Sequence, residues 1–200
     1  MYERNNVIRQ FEKTIAKYCG SSYGISVESC SAALFLCCLY LKVKEVNIPK
    51  HTYHGVPCAI INAGGSVRFN NDSWKGSYYL NPYPIIDSAL RFNKNMYIPD
   101  TYLCLSFQYS KHIPIGRGGM ILTNNKKARD WFRLMRADGR KEIPNSKDKV
   151  RLIGYNMYMI SEQAARGLSL FYWNIYGKED LPDINMKYAD LSKLGIYNRR

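Results

Sequence analysis

Residues 106–119 read S-F-Q-Y-S-K-H-I-P-I-G-R-G-G, flanked by two apolar runs, Tyr102 to Ser106 and Met120 to Leu122. Two strand candidates therefore enclose a glycine-rich loop that carries Lys111 near its start. A lysine at the end of a buried strand is poorly solvated, and its amine can lose its proton near neutral pH. Such an amine is suited to form a Schiff base with an aldehyde cofactor. Taken alone, the stretch is also accounted for by an ordinary surface lysine in a hairpin loop, so the rest of the chain has to choose between the two.

Working outward, short strand candidates alternate with helices. Val7, Ile8, Phe11, Ile15 and Tyr18 recur at helical spacing, which predicts a helix over residues 3–18 stopped at Cys19-Gly20. Tyr23 to Val27, Glu45 to Ile48, Val67 to Phe69, Ile85 to Asp87 and Tyr102 to Ser106 read as strands. Residues 30–41 are apolar all round and read as a buried helix. Thr52 to Ala63, Lys126 to Asp138 and Ser161 to Tyr176 read as further helices, and Leu181, Ile184, Tyr188, Leu191 and Leu194 as a final one. Residues 70–84 read as a long irregular connection. The order predicts an α/β fold with a mixed, mostly parallel sheet flanked by helices.

Composition bounds the function classes. The 200 residues suffice for one sizeable domain or one domain with an extension, and 46% are hydrophobic. The longest apolar run, Ala32 to Leu41, is too short to span a bilayer, and the first residues lack the order of a signal peptide. Cys19, Cys30, Cys37, Cys38, Cys58 and Cys104 show no C-x-x-C pairing, which implies a reducing, cytoplasmic setting and no metal site. A net charge of +13 favours anionic partners. Arg129, Arg133, Arg136 and Arg140 follow one helical face, which reads as a solvated face rather than a nucleic-acid stripe, since no RNP, zinc-finger or P-loop pattern accompanies it.

Four elements could converge on one cofactor. Ser29 and Ser31 open the helix after the first strand, where backbone N–H groups and hydroxyls suit a phosphate; simple serine N-capping accounts for them equally. Asp87 ends an apolar strand, where a carboxylate can hold a pyridine nitrogen protonated; capping of the next turn is the alternative. Ser106 ends the strand before Lys111. Gly154 to Met159 precedes the last long helix, and reads otherwise as a turn.

Together, and in this order, these elements resemble the DegT/DnrJ-type (StrS-like) sugar aminotransferases, enzymes of the aspartate-aminotransferase fold type I that use pyridoxal 5'-phosphate (PLP). S-C-S-A-A-L (29–34) is similar to the family's S-G-T-A-A-L turn, P-K-H-T-Y (49–53) to its P-x-x-T-F, and P-I-I-D-S-A (84–89) to its cofactor-Asp strand. F-E-K-T-I-A-K-Y-C-G (11–20) is similar to its opening helix. L-S-F-Q-Y-S-K-H-I-P-I-G-R-G-G-M-I-L-T (105–123) is the most specific match, followed by L-M-R-A-D-G-R (134–140) and G-Y-N-M-Y-M-I-S-E-Q-A-A (154–165).

The resemblance implies that Lys111 forms the Schiff base and shuttles protons, and that Asp87 pairs with the pyridine nitrogen. Ser31, Ser106 and the Ala32 N–H bind the phosphate, Tyr53 stacks on the ring, and Asn156 reaches the neighbouring subunit's cofactor in a homodimer with shared active sites. It implies transfer of an amino group from an amino acid, glutamate by resemblance, to a keto group of a nucleotide-linked sugar; the positive charge suits a diphosphate, with Arg117, Arg136 and Arg140 as candidate contacts that otherwise read as solvated arginines. The chain departs from the family in length: residues 70–84 replace further strand and helix units, and the small C-terminal domain is largely absent. That predicts a shortened PLP-binding domain over 1–170 and an extension over 171–200. Leu90 stands where the family has His or Gln, Tyr158 where it has Arg, and Cys30 where it has Gly. Relatives that dehydrate sugars carry His in place of the lysine, and here His112 follows Lys111. The alternative from another class is a non-catalytic shortened homologue that binds a partner.

Overall fold

The computed structural model describes residues 6–141, 149–174, 180–181 and 188–198. Helix α1 (Asn6–Cys19) buries Ile8, Phe11, Ile15, Ala16 and Cys19, spaced three to four apart as a one-sided apolar stripe requires. It stops where Gly20 takes a φ of 85°, a conformation that suits glycine, and the Ser21 N–H donates to the Ala16 carbonyl. Strand β1 (Tyr23–Val27) leads to α2 (Cys30–Leu41), capped by the Ser29 hydroxyl, which accepts from the Ala32 N–H at 3.1 Å. Then follow β2 (Glu45–Pro49), α3 (Gly55–Asn62), β3 (Ser66–Asn70), β4 (Tyr78–Tyr79), β5 (Ile85–Asp87), β6 (Tyr102–Ser106), β7 (Gly119–Thr123), α4 (Lys126–Met135) and α5 (Ser161–Asn174). The chain closes on two short 3-10 turns, Leu191–Lys193 and Gly195–Asn198.

The sheet is mixed and flanked by helices, as the alternation of elements implies. Its parallel share is smaller than expected. The five-stranded sheet runs β1-β7-β6-β5-β4, and of its pairings only β5–β6 is parallel. The reason is the direct β6–β7 connection: a loop without a crossover helix can only return antiparallel. The parallel pair β2–β3 forms a second sheet. Two backbone hydrogen bonds between Asn47 and Asn81 join the sheets just beyond β4. The stretch 70–84, expected to be irregular, therefore supplies both β4 and this junction.

Side chains alternate across the main sheet and split the core in two. Ile85, Tyr102, Cys104 and Ile121 face α2, α3 and α4. Ile86, Leu103, Leu105, Met120 and Leu122 face α1 and α5. Each fully buried aliphatic side chain in these layers contributes roughly 1.5–3 kcal/mol. None of the six cysteines forms a disulfide.

Several boundaries differ from expectation. Helix α3 begins at Gly55 rather than Thr52, because the Thr52 hydroxyl is bound to the Tyr78 hydroxyl at 2.6 Å. Helix α4 ends at Met135, and α5 runs unbroken through position 170 to Asn174. Of the residues expected in a final helix, Leu191 lies in a 3-10 turn that Leu194 caps, while Ile184 lies outside the described residues.

The arginine row is not a solvated face. Arg136 and Glu12 are each 1% exposed and paired at 2.5 Å, with Ser26 hydrogen-bonded to both. Arg9 and Arg133 also reach Glu12. Arg129 lies 4.5 Å over the Tyr23 ring. Burial by itself would raise the Glu12 carboxyl; the three guanidiniums and the Ser26 N–H outweigh it and hold the group at about 2.

Candidate active site

Lys111 is placed by a loop pinned on both sides. The Phe107 N–H donates to Gly118 O at 2.9 Å, and the Gly116 N–H donates to Phe107 O at 3.1 Å. Phe107, Ile113 and Ile115 are buried in the α1/α5 core. The Lys111 N–H closes a turn on Gln108 O at 2.9 Å, and its half-buried side chain lines a cleft of about 300 Å³ on the other side. His112 points the opposite way: it is buried and its ring lies 6.2 Å from Phe92, so it does not line the cleft.

Ser31, Tyr53, Asp87 and Ser106 line the same cleft as Lys111. Asp87 sits at the end of β5, 5% exposed, with Oδ2 accepting from the Tyr78 hydroxyl at 3.0 Å and Oδ1 from the Ala89 N–H at 3.1 Å. The Cys30 thiol is 3.9 Å from Oδ1. Burial pushes the Asp87 carboxyl up, opposed first by Tyr78, then by Ala89, Lys111 and Cys30. Burial likewise pulls the Lys111 amine down, opposed by Asp87 and Cys30. The Cys30 thiol is pushed well up by burial, so it stays protonated.

The N-terminal end of α2 forms another wall. Its height is set by β7: a Cβ added at Gly119 would stand 2.6 Å from the Cys30 nitrogen and collide with the Ser29 carbonyl. Tyr53, 47% exposed, stands at the mouth. So does Arg117, paired with Glu28 at 2.6 Å.

Four of the expected residues are placed elsewhere. The Ala32 N–H is held by Ser29, and Ala32 does not line the cleft. Asn156 is exposed, in a backbone bridge with Ala137, also outside the cleft. Arg136 belongs to the buried Glu12 cluster and is unavailable to a diphosphate, and Arg140 does not line the cleft.

The structure adds residues that sequence reasoning missed. Tyr188 lines the cleft, its carbonyl bound to His51 Nδ1 at 3.0 Å and its ring stacked on Trp74. Gln108 and Ser110 also line it. Tyr78 and Thr52 stand behind Asp87. Thr52, Gln108 and Ser110 fall in stretches quoted for the family resemblance but had no role assigned there, while Tyr78 and Tyr188 carry no local signal.

The residues present fit PLP. A half-buried amine meets an aldehyde, a buried carboxylate meets a ring nitrogen, and serine hydroxyls at a twelve-residue helix's N-terminal end meet a phosphate. Among the described residues, no group of three His, Cys, Asp or Glu side chains is placed to hold a metal. No described helix is long and apolar enough to cross a membrane.

The fold is that of solved aminotransferases. Sugar aminotransferase CalS13 from Micromonospora echinospora superimposes with a TM-score of 0.73 at 16% identity, over 84% of this chain and 60% of that one. DesV of S. venezuelae gives 0.71 at 17% identity, over 83% and 56%. In sequence, GDP-perosamine synthase of Caulobacter vibrioides is 27% identical over 81% of this chain and 55% of its own length, so the chain spans about half of that relative. The profile of the DegT/DnrJ/EryC1/StrS aminotransferase family matches residues 2–84 and 99–171, and the chain belongs to that family. Asp87 lies in the unmatched interval, so its place in the site comes from geometry.

Proposed function

We propose that the chain is a PLP-dependent aminotransferase. It moves an amino group from an amino acid, glutamate in the first instance, to a keto group of a nucleotide-linked sugar. The observation that carries this reading is that Lys111 and Asp87 line one cleft with Ser31, in the first turn of α2, and Ser106, at the end of β6. The sugar acceptor is supported by the names of the relatives, a GDP-perosamine synthase and a sugar aminotransferase.

PLP bound in the cleft supplies an electrophilic aldehyde carbon and a ring that accepts electrons. The chain's own residues do the rest. Lys111 Nζ, drawn toward its neutral form by burial, is the amine that would hold the aldehyde. The same amine would hold and move the proton of the substrate carbon. Asp87 accepts from the ring nitrogen and balances its positive charge. The hydroxyls of Ser31 and Ser106 and the free N–H groups opening α2 bind the phosphate, and the Ala32 N–H exchanges Ser29 for a phosphate oxygen. Tyr53 covers the ring and excludes water.

Asn156, outside the cleft, reaches the neighbouring subunit's phosphate in a homodimer. Residues 1–170 act as the cofactor-binding domain and 171–200 as a C-terminal extension. The disulfide-free cysteines accord with the cytoplasm.

The test is an absorption spectrum of the chain with added PLP, then borohydride reduction and peptide mapping. A yellow band with the label on Lys111 is expected. No band, with Lys111 unlabelled, would shift the reading to a non-catalytic homologue that binds a partner.

A further inference from the structure

Asp87 is held by a chain of donors that stands behind the cleft wall. Tyr78 has a single hydroxyl proton, and it is directed at Asp87 Oδ2 at 3.0 Å. The 2.6 Å contact between the Tyr78 and Thr52 hydroxyls must therefore be a donation from Thr52. Both residues are buried, and neither lines the cleft. The donors run one way, Thr52 to Tyr78 to carboxylate, and each polarises the next. Such a chain favours an ionised acceptor at its end.

Tyr78 is itself anchored. Its ring packs 4.7 Å from Trp74, and it belongs to β4, antiparallel to β5 with Tyr78 opposite Asp87. Asp87 is also faced by Cys30 from α2, Lys111 from the β6–β7 loop, Cys104 from β6 and Tyr188 from the C-terminal stretch. The thiols and tyrosines are neutral, leaving Lys111 as the nearby cation.

We infer that Thr52 and Tyr78 are positioning residues that keep the Asp87 carboxylate ionised and oriented for a cationic ring nitrogen. The identity of that ring as PLP rests on the proposed function above. Burial drives Asp87 toward its protonated form, and the Tyr78 hydrogen bond is the strongest influence opposing it. A protonated Asp87 would offer a donor where an acceptor is needed.

The test uses the full chain with 13C-labelled aspartate, and the variants Tyr78→Phe, Thr52→Val and Thr52→Ser. The Asp87 carboxyl is titrated without cofactor, and PLP binding is measured separately at neutral pH. Tyr78→Phe is expected to move the carboxyl titration to higher pH and to weaken PLP binding about tenfold, as loss of a hydrogen bond to a charged group does. Thr52→Val shifts both in the same direction by less, and Thr52→Ser restores them. If Tyr78→Phe does not fold, the Thr52 pair carries the test. An unchanged titration, or a shifted one with PLP affinity intact, overturns the inference. If the parent chain takes up no PLP, the proposed function falls, while the cofactor-free titration still decides the relay.

Discussion

Two carboxylates are buried on opposite sides of the same sheet, and they are driven in opposite directions. Glu12 is surrounded by Arg136, Arg133 and Arg9, which hold its carboxyl at about 2 despite complete burial. Asp87 meets neutral donors and one half-buried lysine, and burial wins. The first site has positive charge to spare: three guanidiniums face one carboxylate, which needs no cationic ligand. The second is short of positive charge, and a cationic ring nitrogen would supply it. Burial alone therefore does not mark a functional carboxylate; the missing counter-charge does.

Lys111→Ala gives the largest effect. Borohydride should fix no PLP and turnover should vanish, while the melting temperature stays close to the parent's; retained turnover would break the functional side of the comparison. Next comes Glu12→Ala, which strands Arg136 in the core. Breaking a buried pair from one side costs about 3–5 kcal/mol, readable by urea unfolding, and the Asp87 titration should not move. The joint replacement of Glu12 and Arg136 by apolar residues should recover much of that loss.

The third test is acid unfolding. The Glu12 carboxyl is depressed from 4.5 to about 2, so its contribution is complete above the unfolded value and lost as pH falls through the folded one. The parent should lose about 3 kcal/mol over that window, and Glu12→Gln should lack this loss. Asp87→Asn has the smallest effect on stability, and of opposite sign. A raised carboxyl contributes stability below its unfolded value of 3.8 that is lost as pH rises through the folded value. The Asn variant should remove that decline and gain slightly at neutral pH, while PLP binding weakens. If Asp87→Asn is destabilising at neutral pH, the contrast with Glu12 is wrong.

Local patterns carried most of the fold and one wall of the cleft. The spacing of Ile8, Phe11 and Ile15, the Ser29 cap and the runs around Lys111 are features of neighbouring residues, and they read correctly. What escaped depends on partners far apart in the chain. Arg136 looked like one more exposed arginine because its burial depends on Glu12, 124 positions away. Tyr78 lay in a stretch with no periodicity, and its meaning comes from Thr52 and Asp87 together. Tyr188 reaches the cleft through His51 and Trp74. The strand directions were misjudged because alternation with helices was read as crossover throughout, while the stretch around Lys111 returns directly.

Gly119 has a consequence for anyone re-engineering this protein. Between β7 and the turn before α2 there is no room for even one methyl group. Exchanging the exposed Arg117 would reshape the mouth at the cost of its surface pair with Glu28. Position 119 admits no alternative letter, whatever its polarity, without lifting the end of α2 away from the lysine. The distance between the anion-binding end of the cleft and its reactive amine is thus encoded as an absence, and a library that randomises this position would return glycine.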